Sequence, residues 1–100
     1  MGAYLIAEVD VHDSAGYEEY RQKVPAVIAA YGGRYLVRGG ALDVLEGDRT
    51  PKRMVVLEFR DRAALQAFWN SPEYLPLRAL RERAARASIV AVEGMAAPAL

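Results

Sequence analysis

The sequence predicts an α+β domain: a β-α-β-β-α-β plait with two helices over one face of a four-stranded antiparallel sheet. Three observations carry that prediction. The apolar period alternates along the chain between two residues and about 3.6, in that order of elements. Residues that start or stop helices stand at the changeovers: Asp13 and Ser14, Gly32-Gly33, Asp61, and Ser71-Pro72. The chain has 100 residues, 53% apolar and 26% charged, so one compact core must serve all six elements.

Ala3 to Val11 is the first strand, with Leu5, Ala7 and Val9 on one face and Tyr4, Ile6, Glu8 and Asp10 on the other. Asp13 or Ser14 caps a helix whose stripe is Tyr17, Tyr20, Val24, Val27, Ile28 and Tyr31. Pro25 lies within that stripe and lacks an amide donor, which predicts a kink or short break. Gly32-Gly33 ends the helix, because glycine takes the left-handed conformation of a C-terminal cap without steric cost. Arg34 to Arg38 is the second strand; Gly39-Gly40 loosens or turns it, and Ala41 to Leu45 continues as an extended segment. Gly47 to Lys52, GDRTPK, is a loop by composition. Arg53 to Phe59 is the third strand, apolar on both faces of MVVLEF except at Glu58. Asp61 caps a second helix containing Leu65, Phe68 and Trp69. Ser71-Pro72 restarts it, serine as cap and proline in the first turn, and Leu77, Leu80 and Ala84 carry the stripe onward. Ser88 to Glu93 is the last strand, and the tail MAAPAL has no evident structure.

The bulk numbers exclude several functions. With 13 basic and 13 acidic side chains the net charge is zero, which argues against a dedicated nucleic-acid binder and is compatible with self-association. The chain has no cysteine, so disulfides, zinc-thiolate sites, iron-sulfur clusters and cysteine nucleophiles are excluded. No stretch approaches the roughly 18 apolar residues of a membrane span. The N-terminal MGAYLIAEVDV has no basic region and runs straight into a strand pattern, so neither a signal peptide nor myristoylation at Gly2 is expected. The expectation is a cytoplasmic protein with neither nucleic acid nor membrane as partner.

Two glycine doublets bracket an arginine-flanked apolar run in YGGRYLVRGG. The first doublet follows a helix and precedes a strand. That is the wrong polarity for a phosphate-binding loop, whose amides point from a helix N-terminus, so both doublets are read as turns. By period two, Arg34, Leu36 and Arg38 share one strand face and leave Tyr35 and Val37 to the helices. That face also holds Ile6 and Glu8 from the first strand and Val56 and Glu58 from the third. An apolar sheet face without helices over it calls for a cover. A second copy packed sheet to sheet supplies one, so a homodimer is expected.

YGGRYLVRGG, then VLEGDRTPKRMVVLEF, FWNSPEY, ALRERAA and IVAVEG closely resemble, in order and spacing, the domain of unknown function 1330 family. That family belongs to the dimeric α+β-barrel superfamily, and the resemblance spans residues 3 to about 94 of a single domain covering 1–100. It implies a ferredoxin-like protomer whose sheet pairs with its twin's to enclose a barrel. It implies no established reaction: superfamily relatives include cofactor-free monooxygenases, lactone isomerases, haem-dependent enzymes and ligand-sensing regulatory domains. In Asp48-Arg49-Thr50-Pro51 this chain lacks the tryptophan that family members often carry after the EGD-like turn.

The candidate site is built from polar residues on the barrel side. Arg34 and Arg38 either pair with Glu8 and Glu58 across strands, or hold a substrate carboxylate or enolate while Glu58 moves a proton. His12, the lone histidine, is either an exposed turn residue or a general base at the end of the first strand. With no clustered carboxylates beside it, no metal site or haem ligation is expected, and no cofactor. The resemblance places Glu46 in a family motif, which implies contact with Arg34, Arg38 or Arg81. Tyr74 closes either the core edge or a cavity mouth, and Trp69 is either core or its neighbour at that mouth. Arg81 faces either the barrel end or solvent with Arg78, Glu82 and Arg83. Three functions fit. One is a cofactor-independent small-molecule enzyme, by proton transfer or monooxygenase-like chemistry in a polar barrel cavity. The second is a homodimeric binding module for a small anionic metabolite, and the third a structural dimer without chemistry.

Overall fold

The computed structural model describes residues 2–95; the tail beyond Met95 lies outside the described residues. The elements are β1 (Ala3–Val11), α1 (Ser14–Ala30), β2 (Arg34–Arg38), β3 (Arg53–Phe59), α2 (Arg62–Trp69), α3 (Leu75–Ala84) and β4 (Ala85–Glu93). The strands form one antiparallel sheet in the order β2-β3-β1-β4, with the helices over one face. This is the predicted plait, its second helix split in two. Among the described residues, no helix is long and apolar enough to cross a membrane.

The core lies between sheet and helices. Ala3, Leu5, Ala7 and Val9 of β1 and Leu57 and Phe59 of β3 are buried there beneath Tyr17, Val24 and Ile28 of α1 and Leu65 and Phe68 of α2. Asp13 caps α1 by accepting from the Gly16 amide at 3.2 Å. The helix ends as its glycines require: the Gly32 amide donates to the Ala29 carbonyl and the Gly33 amide to Ile28, with Gly32 at φ 77°. A side chain at Gly33 would meet the Phe59 ring at 2.6 Å, so the glycine also lets the chain pass close over the core.

Four expectations are corrected. First, α1 runs unbroken through Pro25. Second, Ala41 to Leu45 is not extended strand: residues 39–52 form one long loop, largely exposed, with no partner strand to pair with. Third, Ser71 does not cap α3 directly. Its buried hydroxyl accepts from the Tyr74 amide at 3.1 Å and donates to the Phe68 carbonyl at 2.8 Å, shaping a turn, and α3 starts at Leu75 with Pro76 in its first turn. Fourth, β4 begins at Ala85 instead of Ser88. The Ala84 carbonyl accepts from both His12 and Asp13 amides at 3.0 Å, which ties the end of α3 to the end of β1 and starts the strand pairing early, at Val11 opposite Ala85.

The uncovered sheet face is ordered in rows. Val37, Val56, Ile6 and Val90 lie side by side across all four strands. Next to them runs Arg34, Glu58, Tyr4 and Val92. Val90 is 56% and Val92 45% exposed, so no helix among the described residues covers this end of the face. Val37 stands where Leu36 was expected because the β2–β3 register shifts between Tyr35 and Val37. That bulge has a larger consequence: Arg38 sits opposite Val55 and turns to the helix side, so Arg34 and Arg38 lie on opposite faces of the sheet.

Candidate functional site

On the uncovered face, Arg34 grips Glu58. Its Nε and Nη2 both lie 2.6 Å from Glu58 Oε1, and Tyr4 donates to Oε2 at 3.1 Å. The Arg34 guanidinium, with help from the Tyr4 hydroxyl, holds the Glu58 carboxyl below the usual glutamate range despite opposition from partial desolvation. A carboxylate stabilised this way is a weak proton acceptor. At the other end of the same face Arg49 pairs with Glu8.

On the helix side, α1, the α2–α3 turn and the sheet enclose a cavity of about 40 Å³. Arg38 from β2, Arg53 from β3 and Arg81 from α3 line it, together with Tyr17, Tyr20, Tyr35 and Tyr74. Arg21 and aliphatic and aromatic side chains complete the wall, and among the described residues no carboxylate, imidazole or thiol belongs to the lining. Arg38 lies at an exposed mouth, its Nη2 donating to the Arg21 carbonyl at 2.8 Å and its guanidinium 4.6 Å over the Tyr35 ring. Arg53 reaches the cavity because it shares the helix-side parity of Val55, Leu57 and Phe59. Gly39, at φ 70°, lets its guanidinium lie against the chain, where a methyl group would collide with Nη1.

Arg81 is 6% exposed. It falls on the stripe between Leu77 and Ala84, so the turn of α3 carries it inward, one helix face with Tyr74. Its Nε and the Nε of Arg53 are buried without a hydrogen-bond partner among the described residues. Burial opposes the Arg81 charge, but the Tyr74 and Tyr20 phenols and Glu82 more than offset it, so the guanidinium stays charged. Tyr74 is held by the Ser71 turn, and its hydroxyl lies 3.0 Å from that of Tyr20. Burial first, and then Tyr74, push the Tyr20 phenol far up, and burial also raises Tyr35, so both are hydrogen-bond donors at ordinary pH.

The remaining candidates stand apart from the cavity. His12 is exposed beyond β1, beside Asp10 and Arg86 in a shallow depression. Glu46 lies next to Gly47 in the exposed loop, and among the described residues no hydrogen bond or ion pair joins it to Arg34, Arg38 or Arg81. Trp69 is half-buried at the end of α2, its ring 5.6 Å from Tyr74 and beneath Arg78 at 4.3 Å. Among the described residues, no three histidine, aspartate or glutamate side chains gather as a metal site would need. Arg53 and the tyrosines Tyr17, Tyr20 and Tyr35 were not among the sequence candidates. Strand parity was the signal for Arg53, an arginine in phase with three core residues.

The arrangement can therefore hold an anion between donors in a largely buried pocket. No curated protein matches the chain. The fold is similar to that of a protein of unknown function from Rhodopseudomonas palustris, at a TM-score of 0.76 and 16% identity over 96% of this chain and 84% of that one. It is also similar to a dimeric ferredoxin-like protein of unknown function from Jannaschia sp. CCS1, at 0.65 and 15% over 94% and 100%. A third similar fold is SnoaB, a cofactor-independent oxygenase from Streptomyces nogalater, at 0.63 and 15% over 96% and 95%. These likenesses show a ferredoxin-like fold. The profile of the domain of unknown function DUF1330 matches residues 2–95, and the chain belongs to that family.

Proposed function

We propose that the protein is a homodimeric binding protein for a small organic anion, held in each protomer by Arg53 and Arg81 with the Tyr20–Tyr74 hydroxyl pair as further donor. One observation carries this reading: two arginines line a cavity without an acid, and each has a buried Nε without a hydrogen-bond partner among the described residues. An unpaired buried donor is costly, and a bound carboxylate or enolate would satisfy it with charge-assisted bonds. The dimer is supported by the uncovered Val37–Val56–Ile6–Val90 row and by the dimeric relatives of like fold. In such a dimer the Arg34–Glu58–Tyr4 row borders the apolar strip and sets register, leaving the ligand to the opposite face.

The likeness to SnoaB raises the alternative of cofactor-independent oxygenation, in which the same arginines would stabilise a substrate oxyanion. That chemistry needs a proton acceptor at the substrate. The cavity wall offers only arginines and phenols, while Glu58 and His12 lie elsewhere. Binding is therefore the favoured reading.

Native mass spectrometry tests the assembly, and NMR titration with sodium acetate and sodium oxalate tests the site. The reading expects a dimer and saturable shifts at Tyr20, Tyr74 and Arg81 that vanish in Arg53→Met. A monomer, or shifts that survive both Arg53→Met and Arg81→Met, would overturn it.

A further inference from the structure

The arginine-lined cavity is small. At about 40 Å³ it accommodates a few water molecules or a carboxylate group, whereas a whole metabolite usually needs several hundred. Whatever enters by its charged end must leave the rest of its body outside.

The space for that body lies on the β4 side. The helices stop short of the edge strand, so Ala87 and Ala91 on its helix-side face remain exposed. Trp69, Arg81, Glu82, Ala85, Ala87 and Ile89 line a cleft there of about 280 Å³. Arg81 and Ile89 line both this cleft and the inner cavity, so the two spaces adjoin at these side chains. The Arg81 guanidinium is 6.0 Å from the Trp69 ring, which places a cation at the junction and a flat apolar surface outside it. Glu82 stands on the cleft wall and disfavours a second negative charge on the body.

Resting on the anion-binding reading, we infer that the ligand is an apolar-bodied monocarboxylate of the arylalkyl type, its carboxylate on Arg81 in the cavity and its ring in the cleft against Trp69, Ile89 and Ala87. Trp69 is then a specificity-determining residue. The cleft lies on the sheet face opposite the uncovered row, so sheet-to-sheet pairing leaves it open to solvent.

The chain has one tryptophan, so tryptophan fluorescence reports the surroundings of Trp69, which lines this cleft. Sodium phenylacetate and sodium acetate are titrated against the full chain, following Trp69 emission and NMR shifts together. The expected result is phenylacetate binding at least about tenfold tighter than acetate, roughly the 1.4 kcal/mol of a partly buried ring, with a change in Trp69 emission. Ala87→Phe, at an exposed position, should remove that advantage. Equal affinities, unchanged Trp69 emission on phenylacetate saturation, or an Ala87→Phe variant that keeps the preference would each overturn the inference while leaving the anion site standing. Binding of neither acid would remove both.

Discussion

Arg38 completes a helix that Pro25 leaves incomplete. Proline has no amide hydrogen, so the Arg21 carbonyl one turn earlier loses its partner within α1, and Arg38 Nη2 donates to that oxygen at 2.8 Å. The helix continues without a break, and the arginine is fixed at the cavity mouth by the same bond. Arg38→Met should lower stability by about 1 kcal/mol in urea denaturation. In a Pro25→Ala background, where an amide serves Arg21 again, the same change should cost measurably less. Equal costs in both backgrounds would mean that the bond does not substitute for the missing amide.

Gly39 combines a left-handed backbone with contact to Arg53, whereas Gly40 has neither feature. Gly39→Ala should destabilise by about 1–2 kcal/mol from backbone strain alone and displace the Arg53 guanidinium as well. Gly40→Ala should be close to neutral. Thermal denaturation of the pair separates a positional need from general loop flexibility, and similar melting temperatures would refute the assignment.

Arg81 should show opposite effects on stability and binding. The Arg81 Nε is a buried donor without a partner among the described residues, and exchanging it for an apolar side chain of similar length removes that cost. Arg81→Met is thus expected to raise the ligand-free melting temperature, or leave it unchanged, while abolishing acetate binding in titration. A large loss of stability would show that the arginine holds the fold together.

Glu58 sets the acid limit of the uncovered face. Its folded-state pKa lies below the free value of 4.5, so the stabilisation is complete above about that pH and is lost as pH falls through the lower folded value. Urea denaturation across pH 7 to 3 should show this part of the folding stability falling away only below about 4.5, and Glu58→Gln should flatten that part of the profile. A Glu58→Gln profile identical to wild type would assign the acid loss to other carboxylates.

Local rules reached far into this fold. The two faces of β1, the stripe of α1, the caps at Asp13 and Asp61 and the glycine stop at Gly32 depend on residues within a turn or two of one another, and all appear where the pattern puts them. The candidate site was less legible. Arg38 was placed beside Arg34 by strict alternation, and one unpaired residue in β2 reversed it, because a bulge is chosen by how β2 meets β3. Arg81 stood in a helix segment dense with charge, where solvent was the expected surrounding. Its phase with Leu77 and Ala84 pointed inward, and packing of α3 against α1 decided for the phase.

The sequence by itself therefore determined the order of the helices and four strands and the buried faces of β1, β3 and α1, since periodicity and caps are properties of neighbouring residues. Only the tertiary structure decided that the arginines separate, Arg34 to the Glu58 pair and Arg38, Arg53 and Arg81 to an acid-free cavity. The reason is physical: a side chain's electrostatic partners come from strands and helices far apart in the chain, and register and packing choose them.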